Sequence, residues 1–121
     1  MRMMQVALTI VTERDATFLW DLLDSDSAGP GDRVEVAPGS AIVYSTAEET
    51  KGLDLPWSYH FVIELSGGVT SAAAIGAWIY SRLHPKRDKI RRIEIEEREC
   101  HLGQGEITRI IERKITVDRD A

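Results

Sequence analysis

A chain of 121 residues, 43% hydrophobic and 29% charged, has the composition of one ordinary globular domain and is long enough to bury roughly two thirds of the surface its unfolded form exposes. That balance excludes a disordered or fibrous chain, and a single cysteine, Cys100, excludes an intrachain disulfide and a cysteine-built zinc cluster. The net charge of −5 is unevenly spread: residues 1–66 carry 4 Lys/Arg against 11 Asp/Glu (−7), and residues 67–121 carry 11 against 9 (+2).

Residues 4–12 are apolar and β-branched with neither Gly nor Pro, which predicts a central strand buried on both faces. Glu13, Arg14 and Asp15 follow without a small-residue cleavage site, so a cytoplasmic location is expected. Ala16, Leu19, Leu22 and Leu23 then recur at helical spacing, predicting a first helix over 13–24 with Thr12 as its cap. The turn formers of 24–32 make a loop. Two short strands are expected at 33–37 and 40–45 around Pro38-Gly39, with the polar run 46–56 as a connection.

Residues 59–65 alternate, with Tyr59, Phe61, Ile63 and Leu65 on one face and His60, Val62 and Glu64 on the other. After Ser66-Gly67-Gly68 the chain becomes alanine-rich, and Ala72, Ile75, Ile79 and Leu83 form the apolar stripe of a helix over 69–83, which His84-Pro85 ends. Residues 90–102 read as a hairpin turning in the acidic 96–98 segment, in preference to one long strand. In the last segment Ile107, Ile110, Ile111 and Ile115 share a helical face. A strand is the competing period there, but only a helix gathers all four isoleucines.

The order β-α-β(β)-β-α-β(β)-α predicts one α+β domain over 1–121. It would be a small two-layer sandwich with a split β-α-β, ferredoxin-like arrangement and an added C-terminal helix.

Two segments carry candidate chemistry. A strand entering a Gly-Gly turn and then a helix offers backbone amides and the positive end of a helix dipole to an anion, with Ser66, Gly67, Gly68, Thr70 and Ser71 as the candidate phosphate-binding residues. The string 66–71 resembles the SGGxDS loop of the PP-loop ATP pyrophosphatases, a resemblance that implies binding of ATP and adenylates. Thr70 stands where that pattern has aspartate, and only 50 residues follow Ser71, fewer than the remaining elements of that fold need. Close packing of Ala72, Ala73, Ala74, Gly76 and Ala77 on a sheet is the preferred reading of the turn and helix.

The second segment holds Arg82, Lys86, Arg87, Lys89, Arg91 and Arg92. It reads as a solvated loop near a helix C-terminus, or alternatively as a patch for nucleic acid or an anionic membrane surface.

The remaining candidates point to packing. Cys100 and His101 are neighbours whose side chains leave a strand on opposite faces, so no nucleophile-base pair is expected, and Cys100 reads as a core residue. His60, His84 and His101 lack the short spacing of a metal site, and Glu94, Glu96, Glu97 and Glu99 read as an exposed hairpin face. Trp57, Trp78, Tyr59, Phe61 and Tyr80 suit a core or an interface. The apolar stretch 69–80 would span roughly 18 Å as a helix, too short for a hydrocarbon core of about 30 Å.

Phe18 to Leu23, Gly67 to Leu83 and Lys86 to Leu102 follow the order of a leucine-rich helix, a Gly/Ala-rich helix ending in bases and a charged hairpin. In that pattern the chain resembles the effector-associated constant component family of bacterial conflict systems. The resemblance implies a non-catalytic adaptor or sensor component that acts through protein contacts, with no catalytic motif to carry over. The expectation is therefore a protein-interaction adaptor without cofactor or metal, working with a protein partner or as a homo-oligomer. A phosphate or nucleotide binder using 66–71 and an anionic-surface binder using 82–92 are the alternatives.

Overall fold

The structure is a computed structural model that describes residues 4–13, 18–23, 29–49, 56–66 and 69–120. Among these residues six strands form one antiparallel sheet: β1 (Met4–Thr12), β2 (Arg33–Ala37), β3 (Ser40–Glu49), β4 (Trp57–Leu65), β5 (Ile90–Ile95) and β6 (Arg98–Cys100), in the spatial order β2-β3-β4-β1-β5-β6. Three α-helices accompany it, α1 (Phe18–Leu23), α2 (Val69–Leu83) and α3 (Gln104–Asp120). The expected α+β domain is present. The ferredoxin-like arrangement is not shown: the sheet has six strands, and on one side of β1 it continues as the hairpin-connected run β4-β3-β2.

The core lies on one face of the sheet. Val6, Leu8 and Ile10 of β1 stand beside Ile63, Phe61 and Tyr59 of β4, and Ile93 and Ile95 of β5 continue the same rows. All are at most 4% exposed. Phe18, Leu22 and Leu23 of α1, Ala72, Ile75, Ile79 and Leu83 of α2, and Ile107, Ile111 and Ile115 of α3 close over them as one cluster. Phe18 packs on Tyr59 with ring centroids 4.8 Å apart, and Tyr44 on Phe61 at 5.6 Å. The isoleucine spacing of the last segment is therefore helical, and residues 59–65 alternate as expected, with Tyr59, Phe61, Ile63 and Leu65 on the buried side.

Three expectations need correction. Residues 4–12 make a central strand whose core face is buried from Val6 to Thr12, but its other face is closed only toward the C-terminal end: Gln5 and Ala7 are exposed, Thr9 is half-buried and Val11 is 7% exposed. Residues 46–49 belong to β3 and are not a connection, because a register shift between Tyr44 and Thr46 lets the strand continue opposite residues 57–60. The first helix is described only over residues 18–23, and the rest of the expected 13–24 span lies outside the described residues apart from Glu13, a bend whose N–H donates to Lys89 O at 2.8 Å.

The turns follow their residues. Pro38-Gly39 joins β2 to β3, with Gly39 at φ 83° as the third residue of a type II turn requires. Glu96 and Glu97 reverse the chain between β5 and β6 at φ 53° and 65°, a left-handed pair that favours Asn-Gly. α2 ends at Leu83 and passes into a 3-10 turn at His84–Lys86, with Pro85 inside that turn. Gly76 is what lets α2 and α3 meet: a Cβ there would lie 3.1 Å from both Cα and Cβ of Thr108, and closer still to its hydroxyl. Of the small residues expected to pack on the sheet, Ala72 is buried in the core, Gly76 meets α3 instead, Ala74 and Ala77 are half-buried and Ala73 is exposed.

Candidate functional site

Among the described residues the helices pack on one face of the sheet, so the side chains pointing the other way define a second surface that no described helix covers. Register places them in rows. Arg33, Val43, Val62 and Ala7 form one row across β2, β3, β4 and β1. Thr46, His60, Thr9, Glu94 and Glu99 form the next, from β3 to β6. Ala7 is exposed, and Val43, Val62, Thr9 and His60 are half-buried. Alternation along each strand makes this surface, since every second residue must leave the core.

The middle of the face is apolar and held in place. Thr9 Oγ1 and His60 Nδ1 are hydrogen-bonded at 3.0 Å across β1 and β4. Arg33 on β2 is ion-paired with Glu64 on β4, so its side chain spans β3. Ala41, the β3 residue opposite Glu64, is 0% exposed beneath that bridge. On the far side Arg92 Nε is 2.6 Å from Glu94 Oε2. Glu94 faces Glu99 directly across β5 and β6, a like-charge juxtaposition that costs stability in the isolated chain. The rim is acidic, with Glu35, Glu64, Glu94 and Glu99 set against Arg33 and Arg92.

The candidate phosphate loop has its first residue committed elsewhere. Both the N–H and the hydroxyl of Ser66 donate to Gly39 O, at 2.7 and 3.2 Å, tying the end of β4 to the β2–β3 turn. Gly67 and Gly68 lie outside the described residues. Thr70 and Ser71 are in the first turn of α2, and the positions of their side chains are likewise outside the description.

The six basic residues are engaged one by one within the chain. Arg82 lies over the Trp78 ring at 5.3 Å. Lys86 pairs with Asp21 at 2.7 Å and sits over the Phe18 ring at 6.0 Å, so it clamps α1 to the end of α2. Arg87 donates to His84 O at 2.9 Å, Arg91 is 3.6 Å from Glu13, and Arg92 is paired on the uncovered face. Lys89 closes the turn before β5 through its backbone, donating to Lys86 O and accepting from Glu13.

Cys100 ends β6, 4% exposed, with its thiol donating to His101 O at 3.3 Å. Burial, with a smaller contribution from the negative charge of Glu106, pushes that thiol up to about 11. Such a group is a core residue and a poor nucleophile at neutral pH. His84 stacks against Tyr80, ring centroids 5.1 Å apart, and among the described residues no three His, Cys, Asp or Glu side chains gather as a metal site would require. No described helix is long and apolar enough to cross a membrane.

Sequence reasoning named every residue discussed for the loop and the basic segment but missed the uncovered face as a surface. The signal was present in the alternation of 59–65, whose outward residues His60, Val62 and Glu64 are central to it. Comparisons with protein-family models, with curated proteins and with solved structures found no match to this chain.

Proposed function

We propose that the chain is a non-catalytic protein-interaction adaptor or sensor component, of the kind that serves bacterial effector and defence systems, and that the uncovered face of the sheet is its contact surface. One observation carries the reading: Ala7, Val43 and Val62 form an apolar centre on an otherwise open sheet, ringed by ion pairs and an excess of carboxylates. An apolar centre inside a charged rim is the anatomy of a protein-protein interface.

The rim specifies the partner. It is a protein that presents basic side chains around an apolar contact, because such a surface neutralises Glu35 and Glu99 and relieves the repulsion between Glu94 and Glu99. The pattern-level resemblance to the effector-associated components supports the same class. The test is co-expression with the products of neighbouring effector genes, followed by affinity measurement with Val43→Glu and Val62→Glu. Binding that both substitutions leave unchanged would remove this face from the proposal.

A further inference from the structure

The sheet ends at β2, and the residues of that strand point to what lies beyond it. Tyr44 N–H donates to Asp32 O at 2.8 Å. Antiparallel ladders alternate, so the next bonded pair is Val34 with Ile42, and the N–H and C=O groups of Arg33 and Glu35 face outward from the sheet. No strand pairs with this edge among the described residues. The opposite edge, β6, is itself only three residues long.

Charge and apolar surface on this edge are self-complementary. A two-fold axis through Val34 of two antiparallel β2 strands sets Arg33 of one copy opposite Glu35 of the other, twice over, so that a guanidinium paired with Glu64 in its own chain gains a second carboxylate. Arg33 and Glu35 are the residues whose backbone groups point outward, so each pair closes a reciprocal set of N–H···O=C bonds. On the helix side the axis brings Val34 against its own copy. Val36 and Trp78 are also half-buried and packed at the margin of the core. Trp78 is about 200° round α2 from Gly76, which faces α3, so it lies on the flank away from α3. α2 touches β2 and β3 while α3 touches β1, which places that flank toward the β2 edge.

We infer that β2 pairs with β2 of a second copy of this chain, in the register that sets Arg33 against Glu35, to give a continuous twelve-stranded sheet about a two-fold axis. The register shift between Glu35 and Ala37 ends the straight run, so the pairing is confined to residues around 33–35 and the dimer is a reversible one. The inference rests on the reading of the chain as a protein-contact module and extends it, because the dimer carries two uncovered faces on one sheet and lets a repeated partner bind with avidity.

Sedimentation equilibrium of the full chain from micromolar to millimolar concentration tests it. Wild type should move from monomer toward twice the monomer mass. Glu35→Pro removes an outward N–H that β3 does not use, and Arg33→Glu sets like charges opposite each other, so both should stay monomeric. The exchange Arg33→Glu with Glu35→Arg should restore the dimer. If Glu35→Pro fails to fold, the charge series decides alone. A wild type that stays monomeric throughout, or a dimer indifferent to Arg33→Glu, would overturn the inference and leave the partner-binding test on Val43 and Val62 unaffected.

Discussion

Replacing Gly76 with alanine sets two effects of opposite sign against each other. Alanine in a helix interior is favoured over glycine by about 1 kcal/mol, so on propensity alone Gly76→Ala should stabilise α2. The added methyl, however, would lie 3.1 Å from Cα and Cβ of Thr108, closer than side-chain carbons normally approach. The hydroxyl of Thr108 can rotate aside, but its Cα belongs to the backbone of α3, so the whole helix must shift by several tenths of an ångström. That shift would be transmitted to Ile107 and Ile111, both fully buried beside it. Overpacking of this kind costs about 1–3 kcal/mol. Toward the upper end of that range, which backbone contact favours, the net loss is about 1–2 kcal/mol, or a fall of about 3–8 °C in Tm for a domain of this size. Chemical denaturation and calorimetry read both quantities. Thr108→Ala in the same chain should recover part of the loss, since it removes the hydroxyl and leaves Cα and Cβ in place. A Gly76→Ala protein with unchanged or raised Tm would refute the claim that close helix packing explains this glycine.

Two further outcomes follow from other parts of the fold. Glu97 sits at φ 65°, where a left-handed L-residue costs roughly 1–2 kcal/mol, and Glu97→Gly should therefore raise stability by about 0.5–1 kcal/mol after the extra unfolded-state entropy of glycine is subtracted. A destabilised variant in urea titration would count against the turn geometry. Cys100 gives a pH dependence with a definite sign. Its folded-state value is raised from 9.0 to about 11, so the unfolded chain ionises first and the stability present below pH 9 should be lost progressively as pH rises to 11. Lysines and tyrosines titrate in the same window, so the readout is the difference between wild type and Cys100→Ala in the slope of unfolding free energy against pH. Parallel slopes would show that the thiol is not desolvated.

Much of the fold was legible because the core residues obey a single period. Tyr59, Phe61, Ile63 and Leu65 alternate without interruption, and Ile107, Ile111 and Ile115 recur at four-residue spacing, so strand and helix each announce their buried side. β3 was legible only as far as its bulge. Ile42 and Tyr44 face the core from even positions, whereas the register shift near Ser45 turns the inward side to odd positions, so that Ala47 stands beside Tyr59. A pattern that changes parity in mid-strand looks like the end of a strand.

The candidate site was harder to see for a related reason. On β1 the outward residues Ala7 and Val11 are as apolar as the inward Val6 and Leu8, so composition reads as burial on both sides, which holds at Val11 but not at Ala7. What separates the faces is that the described helices all pack on one of them, and that is a property of the chain path. Likewise, the bases at 82–92 form a cluster in sequence, but their partners Asp21, Glu13 and the Trp78 ring are distant or local features that a charge count does not register. The Gly-Gly turn attracted a phosphate reading because its chemistry suits anions, while Gly76, the glycine with a clear packing role, carries no motif at all.

The central proposal, that this chain works through the uncovered face of its sheet, is tested most directly by measuring the affinity of a protein partner captured by co-expression with neighbouring gene products, for wild type and for Val62→Glu. Val62 is half-buried at the centre of the face and lies outside the core cluster, so the substitution should cost about 1 kcal/mol, the span of strand propensity, and leave the fold intact. The account predicts a variant that folds as wild type and binds at least about tenfold more weakly, a loss of roughly 1.4 kcal/mol or more. A folded variant with wild-type affinity would contradict it.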